Sequence, residues 1–120
     1  MAFGYTELTL ALDSDDKLIF DIKESDGTPT VLSGFTTGTC SITHISTSEN
    51  KSIGTVAIEP AGVVGRIEVT IPASDMLSTE VMFKQDKYDV YGTPPLNFAL
   101  SVKLDNEVKI RAKVRIVKVG

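Results

Sequence analysis

Between residues 96 and 117 apolar side chains recur on every second position, broken once by Asp105-Asn106, and a β-hairpin with one buried face accounts for that pattern. Its first limb carries Leu96, Phe98, Leu100, Val102 and Leu104; the second carries Val108, Ile110, Ala112, Val114 and Ile116. A helix would scatter these residues around its axis. Asp105 and Asn106 both tolerate positive φ, which a tight primed turn demands. On the second limb Lys109, Arg111, Lys113 and Arg115 take the intervening places, so one face is expected to be apolar and the other a row of cations.

The rest of the chain repeats this grammar in shorter phrases. Leu8, Leu10 and Leu12 alternate, as do Leu18, Phe20 and Ile22, before the turn Ser25-Asp26-Gly27-Thr28-Pro29. Residues 31–34 suggest a short apolar crossing toward an opposite sheet. Residues 39–45 suggest a strand with Cys40, Ile42 and His44 on one side. The stretch 46–52 is expected to be a loop, 55–59 a short strand, and 63–71 a strand with Gly65, Ile67, Val69 and Ile71 facing one way. Pro72 to Leu77 predicts one turn of helix capped by Ser74. Residues 78–95 suggest an inserted hairpin with its tip at Gln85-Asp86, or an irregular flap. Short strands between Gly, Pro and Asp turns, with no amphipathic helix, point to an all-β, antiparallel sandwich forming a single domain over 1–120. An open barrel is the competing architecture.

Charge and chemistry narrow the function. The net charge of −4 argues against nucleic acid as the main ligand, because phosphate binding draws on a basic surface. Charge is also uneven: residues 109–118 hold five Lys or Arg and no acid, so the remainder stands at −9. The segment 7–26 contributes Glu7, Asp13, Asp15, Asp16, Asp21, Glu24 and Asp26 against Lys17 and Lys23. The start lacks the pattern of a secretion signal and no apolar run approaches ~20 residues, so neither export by such a signal nor a membrane span is expected. A single cysteine, Cys40, forms no internal disulfide.

His44 is the sole histidine, without the Cys or His partners of a metal shell. Cys40 and His44 on one strand lie about 13 Å apart by the rise per residue, too far for a thiol-imidazole pair. Asp13, Asp15 and Asp16 with Glu24 at the twelfth place invite a calcium reading, but Leu18 stands where such a loop needs Gly. The sequence therefore indicates no catalytic residue, no cofactor and no metal, and predicts a protein that is not an enzyme.

The order of the signals resembles the immunoglobulin-like modules of tailed-phage virion proteins. The likeness runs over residues 8–119 and rests on the turn Asp26-Gly27-Thr28-Pro29, followed by Val31-Leu32-Ser33-Gly34, the strand and corner at 67–77, and the closing hairpin. It is nearest to the N-terminal domain of baseplate upper proteins, although the segment 78–95 is longer than the compact corner of such modules. The resemblance implies an immunoglobulin-like β-sandwich serving as a structural subunit of a bacteriophage virion, either capsid decoration or cement, or a tail or baseplate adaptor. It implies synthesis in the host cytoplasm, a homo-oligomer, and partners among its own copies and other virion proteins, with no nucleic acid and no membrane. A carbohydrate- or receptor-binding module of the tail is the alternative.

Contact residues follow from the same reading. Phe83, Tyr88 and Tyr91 in the flap have the profile of interface anchors or of a lobe packed on its own sandwich. Lys109, Arg111, Lys113 and Arg115 suit a solvated or guarded sheet face, a dock for an acidic neighbour, or a polyanion site disfavoured by net charge.

Overall fold

The alternating segments assemble into two facing sheets. The structure, a computed structural model, describes residues 5–11, 14–45, 48–76 and 98–117. Among these, β1 (Tyr5–Ala11), β8 (Glu107–Val117), β7 (Phe98–Leu104), β3 (Gly38–His44) and β4 (Asn50–Ser52) form one sheet in that order. The other sheet has the order β2 (Asp16–Asp21), β6 (Arg66–Ile71), β5 (Thr55–Ile58). In immunoglobulin lettering β2, β6 and β5 stand as B, E and D, while β3, β7 and β8 stand as C, F and G. The chain is thus an all-β, immunoglobulin-like sandwich.

The C-terminal hairpin forms where the alternation places it. Asp105 (φ 49°) and Asn106 (φ 72°) are both left-handed, the combination that matches a two-residue turn to the twist of its strands. Phe98, Leu100, Val102 and Leu104 face inward with Ile110, Ala112, Val114 and Ile116. Opposite them lie Ile67, Val69 and Ile71 of β6, and Leu32, Ile53 and Met76 enter the same core from connecting segments. Each of the Val, Leu, Ile, Phe and Met side chains contributes roughly 1.5–3 kcal/mol relative to exposure. The sheets close tightly at Gly38, where an added Cβ would stand 2.6 Å from Val56 Cγ1 on β5. Only glycine fits there.

Several expectations need correction. The sandwich is antiparallel except at its edge, where β1 runs parallel to β8 with Glu7 opposite Lys113 and Thr9 opposite Arg115. Among the described acids of the segment 7–26 only Glu7 therefore lies beside the basic strand, while Asp16 and Asp21 stand on β2 in the other sheet. Residues 46–52 are not all loop: Asn50–Ser52 pairs with β3, held by backbone bonding that needs no apolar side chain. Residues 31–34 do lie in the crossing from β2 of one sheet to β3 of the other, with Leu32 buried, but the strand expected over 63–71 begins at Arg66 because Gly65 is left-handed at φ 80°. Residues 73–76 do make a helical turn. Its cap is Asp15, whose Oδ1 accepts the Ala73 amide at 2.7 Å, while Ser74 sits inside the turn. The flap expected over 78–95 lies outside the described residues.

Candidate interaction surface

β7 and β8 present the outer face of the larger sheet. Its residues come in rows across the strands: Thr43, Ala99 and Lys113 in one, Ser41, Ser101 and Arg111 in the next. Small side chains on β3 and β7 leave the centre low, and the longer cations of β8 wall it. The result is a shallow depression of about 220 Å³ lined by Ile45, Ala99, Ser101, Arg111 and Lys113. Ile45, half exposed at the end of β3, supplies an apolar rim.

Arg111 and Lys113 are exposed and Arg115 is half-buried on this face, as the alternation requires. Lys109 departs from the row. The β7–β8 register skips it, pairing Val102 with Ile110 but Lys103 with Val108, and such a bulge re-aims the extra side chain. Its ammonium lies 4.7 Å from the centre of the Phe35 ring and 3.3 Å from a Glu107 carboxylate oxygen. Lys109 is thus a strut between the hairpin and the loop before β3. Phe83, Tyr88 and Tyr91 lie outside the described residues.

The two outer faces treat charge differently. On the smaller sheet Lys17 meets Glu68 at 2.9 Å, and the Arg66 guanidinium donates to both oxygens of Asp21 at 2.9 and 3.3 Å. Those hydrogen bonds hold the Asp21 carboxyl below its ordinary value. Among the described residues no carboxylate forms an ion pair with Arg111 or Arg115. Among the described residues, then, no ion pair offsets their charge.

The acids of the first quarter organise turns. Asp16 accepts the Ala11 amide at 3.0 Å, and Asp26 accepts the Thr28 hydroxyl and amide at 2.6 and 3.0 Å, which lowers its pKa. Asp15 and Asp16 thus serve amides in separate segments, the work of turn-forming acids. Among the described residues no group of three His, Cys, Asp or Glu is placed to hold a metal ion.

Two carboxylates, those of Glu59 and the turn residue Asp105, fasten one end of the sandwich. Glu59 Oε2 accepts the Leu32 amide at 2.9 Å and the Gly65 amide at 3.0 Å, joining the 22–37 and 59–65 connections. Asp105 Oδ1 accepts the Thr37 amide and hydroxyl, both at 2.8 Å, and each Asp105 oxygen lies 3.2 Å from the Thr36 amide. Three loops are thereby tied together. The amides of Gly65 and Leu32 lower the Glu59 pKa, and Thr37 then Thr36 lower that of Asp105. A turn aspartate was the one legible signal here, since Glu59 reaches a partner 27 residues away.

Cys40 and His44 both face the core. Burial pushes the Cys40 thiol up to about 12, so it remains an unreactive apolar group. His44 is 1% exposed, its ring 5.2 Å from that of Phe98 and tilted by 41°. The chain matches no family model and no curated protein in sequence.

Proposed function

We propose that this chain is a non-enzymatic structural module that works by protein-protein contact, with the outer face of the larger sheet as its dock. The observation that carries this reading is the alignment on β8, a strand paired on both sides, of Arg111, Lys113 and Arg115 beside the small-residue floor of β3 and β7. Charges set on a backbone already fixed by two neighbours add no backbone-ordering cost when a partner arrives, only that of their own side chains. Their lack of described acidic ion-pair partners at Arg111 and Arg115 favours an acidic surface as that partner.

The setting we propose is a bacteriophage particle, as capsid decoration or cement, or as a tail or baseplate adaptor. Its partners there are copies of itself and other virion proteins, and it joins the virion after synthesis in the host cytoplasm. The sequence motifs at 26–34 and 67–77 support this setting, and an immunoglobulin-like strand order is the fold those motifs imply. The test is Arg111→Glu combined with Arg115→Glu, assayed by co-sedimentation with particles. The double variant is expected to melt close to the parent and to be lost from particles; a folded variant incorporated at the parent's level contradicts the reading. In parallel, the isolated protein is expected to be silent on a glycan array and in a host-cell pull-down. Binding in either would favour the tail recognition module instead.

A further inference from the structure

The depression on the outer face has a counterpart at the other end of the molecule. Ile45, Ala99 and Lys113 lie toward the end of the sheet where β7 begins, and Ala99 is about 17 Å along the strand from Leu104 by the rise per residue. Beyond Leu104 come the loops fastened by Glu59 and Asp105. These loops display Val31, 68% exposed, with Val64 at 47% and Val63 at 37%. Single exposed valines are ordinary. These differ because Leu32 and Gly65, the residues following Val31 and Val64, donate to the same Glu59 oxygen. The apolar groups are therefore neighbours on pinned backbone.

Acids border that cluster. Glu24 and Asp26 are exposed on the turn that Lys23 and Pro29 close, and Pro29 in turn packs so close to Gly65 that a Cβ there would stand 3.2 Å away. The loop end thus offers valines beside carboxylates. The depression offers Ile45 and Ala99 beside Arg111. At about 220 Å³ it is smaller than the roughly 300–1,000 Å³ that encloses a small-molecule ligand, and a few side chains of a protein are its natural filling.

We propose that the loop end of one copy docks on the Arg111 depression of the next, head to tail. This rests on the contact role proposed above for the outer face and names its partner as a second copy of this chain. The two patches are different surfaces at opposite ends, so the contact is heterologous and each copy keeps one patch free. Copies then extend into a chain or close into a ring. Burial of the valines against Ile45 and Ala99 supplies the apolar part, and Glu24 facing Arg111 sets orientation.

Sedimentation velocity on two variants and their mixture tests this. Arg111→Glu damages the depression; Val31→Lys with Val64→Lys damages the loop end at exposed positions, with melting curves confirming that each variant is folded. The parent protein at low salt is expected to form species larger than the monomer that grow with concentration. Each variant alone is expected to stay monomeric, and their equimolar mixture to give a dimer and nothing larger, because one intact patch of each kind remains. Glu24→Lys, which spares the valines, is expected to weaken parental association at least tenfold. A loop-end variant that associates like the parent, or a mixture that stays monomeric, overturns head-to-tail docking while leaving the outer face free to bind another protein. A parent that is monomeric at every concentration also overturns it, and loss of Arg111→Glu, Arg115→Glu from particles would show that the contact reading survives on its own.

Discussion

The carboxylate of Asp105 accepts the backbone amide of Thr37 at 2.8 Å across 68 residues of sequence. The Asp105 amide in turn donates to the Thr37 carbonyl at 3.0 Å, so the tip of the β7–β8 hairpin is bonded both ways to the segment entering β3. A turn residue thereby does two tasks. It adopts the left-handed conformation that the hairpin needs, and it anchors the loop that carries the exposed Val31.

That anchoring depends on ionisation. Amide and hydroxyl donors of Thr37 and Thr36 hold Asp105 below its ordinary 3.8, and amides of Gly65 and Leu32 hold Glu59 below its ordinary 4.5. A folded-state pKa below the unfolded one gives stability that is complete above the unfolded value and lost as pH falls through the folded value. Melting temperature is therefore expected to fall as pH drops below these ordinary values. Asp105→Asn with Glu59→Gln is expected to be less stable than the parent at neutral pH and to show a shallower acid decline, as measured by melting curves across that range.

Lys109 and Arg111 are two residues apart yet differ in role. Lys109→Ala removes the contact over Phe35 and is expected to cost about 0.5–2 kcal/mol. Arg111→Ala is expected to change stability by no more than about 0.5 kcal/mol, the usual range for surface positions. Urea unfolding of both variants checks this, and equal costs would contradict the assignment of Lys109 as a strut.

Gly38 sets the spacing between the sheets. Gly38→Val would drive side-chain atoms into Val56, 2.6 Å from the position of the first added carbon. Overpacking of this kind is expected to destabilise by about 1–3 kcal/mol in chemical unfolding. The variant should repack by parting β3 from β5.

Cys40 is 3% exposed with its thiol pushed up to about 12 by burial. An aromatic disulfide reagent is expected to label it negligibly in native protein at neutral pH and stoichiometrically in denaturant. Rapid native labelling would place the thiol in an open, activated site.

The legible parts of this fold were those where one side chain in two had to be buried. The β7–β8 hairpin and the inward set Cys40, Ile42 and His44 follow from that rule alone. β4 escaped because Asn50-Lys51-Ser52 has no apolar residue, and its pairing with β3 rests on backbone hydrogen bonds. Strand order was equally hidden: nothing local in Glu7 or Lys113 says that β1 and β8 run side by side in parallel. At the candidate surface Arg111, Lys113 and Arg115 were readable as outward positions. Lys109 was misplaced by one bulge, because a single skipped residue shifts register without altering the alternation further along. Glu59 could not be found from sequence, since its partners Leu32 and Gly65 offer only backbone amides.

The outer face of the larger sheet is proposed to exist for contact, and sedimentation velocity of the purified protein over a range of salt and protein concentrations tests that most directly. The account predicts association at low salt that loosens as salt rises, because exposed charges are screened within about 10 Å at 0.1 M, and that Arg111→Glu abolishes. A monomer under every condition would overturn docking between copies while leaving the face free to bind another protein, and association that is indifferent to both salt and Arg111→Glu would contradict the account.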